Sequence, residues 1–114
     1  MSRDMLTYKI FRATEWTDLQ TKGETFGAPI DVADGYVHLS TAEQAPTTAA
    51  LYFAGATDLV LVAIDDKTTG DAMKWEPSRG GQLFPHLYRK LSMADVLWHR
   101  DLPLVDGTHD FGDL

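Results

Sequence analysis

A single α+β domain is the fold class this chain predicts, and three observations predict it. At 114 residues it can bury one core but not two. Its 44% apolar and 24% charged residues are ordinary for a folded domain rather than a disordered one. Its apolar residues fall into short runs of strand pattern interspersed with short runs of helix pattern, with no repeat or low-complexity tract. There is no cysteine, so the fold rests on its core alone, without disulfides, thiolate metal sites or a cysteine nucleophile.

The N-terminal residues 1–5 are expected to be extended or disordered, residues 6–102 to form the globular domain, and residues 103–114 an acidic tail. Tyr8 to Ala13 reads as a first strand, followed by Thr14 as helix N-cap with Glu15 in the first turn. Trp16 and Leu19, three apart, mark the buried face of that helix, and Gly23 is placed to end it in the left-handed conformation. Glu24 to Asp34, containing Gly27 and Pro29 before the Asp34-Gly35 turn pair, reads as a loop. It is long for a compact domain, which suggests a covering or binding segment.

Tyr36-Val37-His38-Leu39 has the alternation of a half-buried strand. Ser40 and Thr41 then offer side-chain acceptors to a helix start, with Glu43 and Gln44 in capping-box register. The helix is expected from about Thr41 to Phe53, or only from Pro46, because an interior proline loses a hydrogen bond and clashes with the preceding turn. Leu59 to Ile64, a continuous run of branched residues, predicts a central strand buried on both faces, ending at Asp65-Asp66 with a turn over 68–70. Lys74-Trp75-Glu76 reads as a short strand closed by Pro77, and Pro77 to Lys90 as a loop pinned by aromatic and apolar anchors. Val96 to Arg100 is the last clear strand. Beyond Pro103 the chain is acidic, lacks lysine and arginine, and is expected to be a loose tail.

The net charge of −7 argues against general binding to nucleic acid, which needs a basic face, but leaves room for a local anion site. No apolar run approaches the roughly 18 residues of a membrane helix. Met1 to Met5 lacks a signal-peptide pattern, so a cytoplasmic location is expected, with a monomer as the default and Met5 as a second candidate start. From Pro77 to Ala94 there is no acidic residue, while Arg79, Arg89 and Lys90 are basic. This segment carries +3 against −10 for the rest of the chain. Ser78-Arg79-Gly80-Gly81 joins a planar cation to two residues that let backbone N–H groups approach a ligand, as phosphate and carboxylate sites require. A flexible turn whose arginine pairs with the acidic surface accounts for it equally well.

His38, near a strand end beside a helix start, is either a packed histidine or a proton-carrying group at an anion site. Arg12 either points outward or lines a cleft with His38. Glu76, between Trp75 and Pro77, has an apolar neighbourhood that would raise its carboxyl toward acid/base work; the other reading pairs it with Arg79. Trp16, Trp75 and Trp98 read as core, with one of them available to stack on a flat ligand ring. His38, His86, His99 and His109 show no metal-ligand spacing, and no nucleophile elbow, Walker loop or dinucleotide glycine fingerprint occurs.

Tyr8-Lys9-Ile10, the stretch from Asp31 through Asp34 to Gln44, Leu59 to Asp65, and Trp75 to Gly81 with Phe84-Pro85-His86-Leu87-Tyr88 resemble the domain-of-unknown-function 952 family of small bacterial proteins. The likeness spans roughly Leu6 to Leu102. It implies the ADP-ribosyltransferase fold, a split, strongly bent and mainly antiparallel β-structure with two or three short helices, holding NAD in a cleft. RNA 2′-phosphotransferases of that fold carry a Tyr-His-Gly-Thr motif, whose place Phe11-Arg12-Ala13-Thr14 would take, and a Val-His-Leu-Ser motif, matched by Val37 to Ser40. Here arginine replaces the first histidine and alanine the glycine.

The resemblance implies His38 and Glu76 as catalytic residues. Ligand-binding roles would fall to Arg12, Thr14, Ser40, Ser78, Arg79, Gly80, Gly81 and His86, with NAD as a substrate. Two functions follow as expectations: a transferase acting on ADP-ribosyl or 2′-phosphate groups, and a non-catalytic ligand-binding or protein-interaction module that keeps the cleft.

Overall fold

Two three-stranded antiparallel sheets, linked through a backbone bridge, form most of the β-structure of the described residues. The computed structural model describes residues 6–114 and, for Arg79, the backbone alone; the expectation for residues 1–5 lies outside the described residues. In chain order the elements are β1 (Thr7–Arg12), α1 (Ala13–Lys22), β2 (Glu24–Thr25), α2 (Pro29–Asp34), β3 (Val37–His38) and α3 (Ala45–Tyr52). These are followed by β4 (Leu59–Ile64), α4 (Asp66–Thr69), β5 (Met73–Pro77), β6 (Leu83–Leu87), β7 (Leu91–Ser92), β8 (Val96–Leu102), β9 (Leu104–Val105) and β10 (Thr108–His109). The strands make antiparallel sheets in the orders β1-β4-β8 and β3-β6-β5, with two small pairs, β2-β7 and β9-β10. Tyr8 and Ser40 exchange both backbone hydrogen bonds, at 2.7 and 2.9 Å, and so join the two three-stranded sheets into the split α+β architecture.

β4 is the central strand its composition requires. Val60, Val62 and Ile64 pack with Phe11, Trp16, Leu19, Val37, Leu39 and Leu87 on one face. Leu59, Leu61 and Ala63 pack with Tyr8, Ile10, Ala45, Ala49 and Phe111 on the other. Each buried aliphatic or aromatic side chain here contributes roughly 1.5–3 kcal/mol of transfer free energy, and the fully buried Phe11, Leu61 and Ile64 sit at the centre of this packing. α1 buries Trp16 and Leu19 and ends at Gly23, whose φ of 82° is left-handed and whose N–H donates to the Leu19 carbonyl. Thr41 and Gln44 form the expected reciprocal cap, each backbone N–H donating to the other's side-chain oxygen, and the regular helix then starts at Ala45 with Pro46 in its first turn.

Four expectations are corrected. Thr14 is inside α1, whose N-cap is Arg12; the Arg12 N–H donates to the Glu15 carboxylate at 2.9 Å. The expected loop from Glu24 to Asp34 contains β2 and α2, the latter with Pro29 in its first turn and Gly35 as its left-handed cap. The segment from Pro77 to Lys90 contains β6, the middle strand of its sheet, despite Pro85. That proline is tolerated because its carbonyl still accepts from the Leu39 N–H, while the donor that Pro85 lacks falls just past the end of the β3 ladder. The stretch beyond Pro103 is no loose tail. β9 and β10 form a hairpin, His109 Nε2 donates to the Ala56 carbonyl at 2.9 Å, and Phe111 is buried in the core.

A candidate cleft with two carboxylate–histidine pairs

Past the Tyr8–Ser40 bridge, β1 and β3 diverge, and the gap between them is braced by Lys9. Strand alternation turns Lys9 to the same side as Thr7 and Phe11. Its ammonium donates to the His38 carbonyl at 3.0 Å and to Asp31 Oδ2 at 2.8 Å. Asp31, on α2, has a completely buried side chain. Its Oδ2 also accepts from the Ala28 N–H at 2.7 Å. Its Oδ1 accepts from the His38 backbone N–H at 2.9 Å and meets His38 Nδ1 at 2.5 Å. Four donors on two oxygens saturate the carboxylate, which makes it a fixed negative charge rather than a base. Burial pushes the Asp31 carboxyl up, but the contacts with His38 and Lys9 more than offset this and hold it below its ordinary value.

His38 is thereby oriented, with Nδ1 on Asp31 and Nε2 3.0 Å from Asp34. Cross-strand register sets His38 opposite His86 and His86 opposite Lys74. Period two then brings Tyr36, His38, His86, Tyr88 and Glu76 to one face of the sheet. There the Tyr36 ring stacks on His86 at 4.2 Å and lies 4.6 Å from His38 and 5.1 Å from Tyr88. Glu76 Oε1 meets His86 Nδ1 at 2.8 Å and accepts from the Tyr88 hydroxyl at 2.6 Å. These bonds, Tyr88 first and His86 second, hold the Glu76 carboxyl below its ordinary value, so the expected upward shift from an apolar flank is corrected. The same bond to Glu76 pushes the Tyr88 phenol up to about 12. Burial, then the charges of Asp34, Glu76 and Asp31, push the Tyr36 phenol up as well.

The resulting cleft has a volume of about 610 Å³. It brings together Arg12, His38, Ser40, Ser78 and His86 of the sequence-derived site. Arg12 lies over the Phe53 ring at 5.1 Å, and the Ser40 hydroxyl bonds that of Thr48 at 3.1 Å. Among the described residues the wall holds neither Glu76 nor Thr14, Gly80 or Gly81; Thr14 is exposed on α1. The Arg79 side chain lies outside the described residues. The positive segment is largely neutralised in space, because Arg89 makes a two-pronged pair with Asp95 at 2.8 Å and Lys90 reaches Glu24 at 3.2 Å. Of the three tryptophans, Trp16 is buried, Trp98 packs partly buried on the core, and Trp75 is 40% exposed. Among the described residues no group of three histidine or acidic side chains is arranged to hold a metal ion, and no helix is long and apolar enough to cross a membrane.

Sequence reasoning passed over Lys9, Asp31, Asp34 and Tyr36. A lysine inside an apolar strand was the available signal for the first, and proline followed by an acid in a helix's first turn for the second.

The family described as "Protein of unknown function (DUF952)" matches residues 10–99. The chain belongs to the DUF952 family. Its fold is shared with protein CC0527 from Caulobacter crescentus. The crystal structure of that protein is 45% identical, covers 92% of this DUF952 chain and 93% of that one, and superposes with a TM-score of 0.88. A double mutant of the same protein gives 45%, 92%, 93% and 0.87, and its solution NMR structure 44%, 91%, 90% and 0.81. No curated protein matches the chain.

Proposed function

We propose that the cleft binds a ligand of the NAD or ADP-ribose class and that the chain is a transferase acting on ADP-ribosyl or 2′-phosphate groups. The observation that carries this reading is a histidine oriented by a saturated, buried carboxylate on the wall of a cleft that also holds an arginine, serine hydroxyls and aromatic rings. The lining is mixed in charge, with Arg12 and Lys9 set against Glu15 and Asp34. A ligand with an anionic diphosphate and a cationic ring suits such a lining better than a simple anion does. Arg12 would hold phosphate, Ser40 and Ser78 ribose hydroxyls, and Tyr36 or Phe84 a flat ring. With Nε2 turned from the half-exposed Asp34 carboxylate to the ligand, His38 would take the proton of the attacking hydroxyl. Calorimetry with NAD, ADP-ribose and a 2′-phosphorylated RNA oligonucleotide is expected to give heat with at least one, and His38→Ala to abolish turnover. No heat from any of the three would sink the idea.

A non-catalytic binding module is the second reading, favoured by the engagement of Glu76 with His86 and Tyr88 rather than with the cleft. Turnover that is lost in Glu76→Gln with binding intact would rule it out.

A further inference from the structure

A second hollow, of about 390 Å³, is lined by Thr7, Asp66, Thr69, Gly70, Met73 and Trp75 and shares no lining residue with the His38 cleft. Register sets Thr7 opposite Ile64, so the first residue of β1 stands beside the chain as it leaves β4 for Asp66. Thr7 is fully buried, and its hydroxyl has no hydrogen-bond partner; the buried Oδ1 of Asp66 has none either. Among the described residues these are the orphaned buried side-chain polar atoms, and both belong to residues that line this one hollow. The neighbouring Thr69 hydroxyl does not serve them, since it is directed at the Asp65 and Asp66 carbonyls at 3.4 and 3.2 Å. Leaving a buried acceptor unmet is costly, so such atoms point to a donor from outside the described residues.

The remaining wall decides what kind of donor. Met73 and the 40%-exposed Trp75 add an apolar and aromatic surface. A carboxylate oxygen only accepts, a hydroxyl donates or accepts, and an aromatic face attracts cations. We propose that this hollow binds a primary ammonium group on a short alkyl chain. The ammonium donates to Asp66 Oδ1 and Thr7 Oγ1, and the hydrocarbon covers Met73 and Trp75. A single water serves the polar atoms but occupies only about 30 Å³, and it leaves the tryptophan uncovered. An anion meets the Asp66 carboxylate.

The test is a ¹H–¹⁵N NMR titration of the full chain with n-butylammonium, alongside n-butanol and butyrate, which share the hydrocarbon body without the cation. Saturable shifts at the Thr7, Asp66 and Gly70 amides and the Trp75 indole N–H, with n-butylammonium alone, are expected. Asp66→Asn should weaken binding by about tenfold or more. Trp75→Ala, a substitution at an exposed strand position, should weaken it less and keeps the test decisive if Asp66→Asn does not fold. The proposal is overturned by absence of a saturable shift, by equal binding of n-butanol, by full retention in both variants, or by shifts confined to the His38 cleft.

Discussion

The Asp31–His38 and Glu76–His86 pairs share one bond, carboxylate to Nδ1, and invert which partner is buried. In Asp31–His38 the carboxylate is fully buried and the imidazole is 29% exposed. In Glu76–His86 the imidazole side chain is 4% exposed and the carboxylate 39%. The first arrangement hides the charge and presents the ring to the cleft, with Lys9 supplying the compensating cation. The second hides the ring beneath Tyr36 and leaves its carboxylate to the surface. The same two functional groups therefore make an accessible imidazole in one place and a buried one in the other, and burial of the acid is what separates them.

Breaking the buried pair should have the largest effect. Asp31→Asn leaves the Lys9 ammonium without its counter-charge and is expected to cost about 3–5 kcal/mol in denaturant unfolding. The folded Asp31 carboxyl lies below its unfolded value of about 4. Its contribution is therefore complete above that pH and is lost as pH falls through the lower folded value. Stability measured from neutral to acid pH should fall less steeply in Asp31→Asn than in the parent.

Next in size is Gly27→Ala. Gly27 has a φ of 97°, and a Cβ there would stand 2.2 Å from Asp31 Oδ2, an atom pinned by two donors, so about 1–3 kcal/mol is expected. The two histidines then separate by readout. His86→Ala should lose about 1–3 kcal/mol of stability by emptying a buried site. His38→Ala should keep the fold, because Asp31 retains the Lys9 and Ala28 donors, while losing ligand response in the cleft. The smallest effect is spectroscopic. Tyr88 should ionise at about 12 in an ultraviolet pH titration and return toward about 10 in Glu76→Gln. With the folded value raised, the associated stabilisation is present below about pH 10 and disappears as pH climbs toward about 12.

Much of the first part of the chain was legible because its signals are local: the alternation around His38, the branched run of β4, the glycine at the end of α1, and the Thr41–Gln44 cap. α2 carried its own signals, with Pro29 and Asp31 in the first turn and Gly35 after the last, but six residues are too few for apolar periodicity to show. β6 was hidden by Pro85, whose acceptability depends on where β3 leaves the ladder, a fact of tertiary structure. The candidate site was half legible for the same reason. Arg12, His38, Ser40, Ser78 and His86 do converge on one cleft. The Lys9–Asp31 pair that fixes the site joins residues 22 positions apart, and no local pattern announces it.

Lys9 also gives the site a polarity that sequence drift has to respect. Its ammonium serves two acceptors, a carboxylate and the His38 main-chain carbonyl, and the second of these is present whatever residue occupies position 38. An exchange of partners, acid at position 9 and lysine at 31, would conserve net charge yet set a carboxylate against that carbonyl oxygen. It would also give the Ala28 and His38 amides a cation to face. The two positions are thus expected to vary together only toward neutral pairs and never to trade places. Among relatives, a lysine at one and an acid at the other marks a chain that has kept the braced gap between its first and third strands.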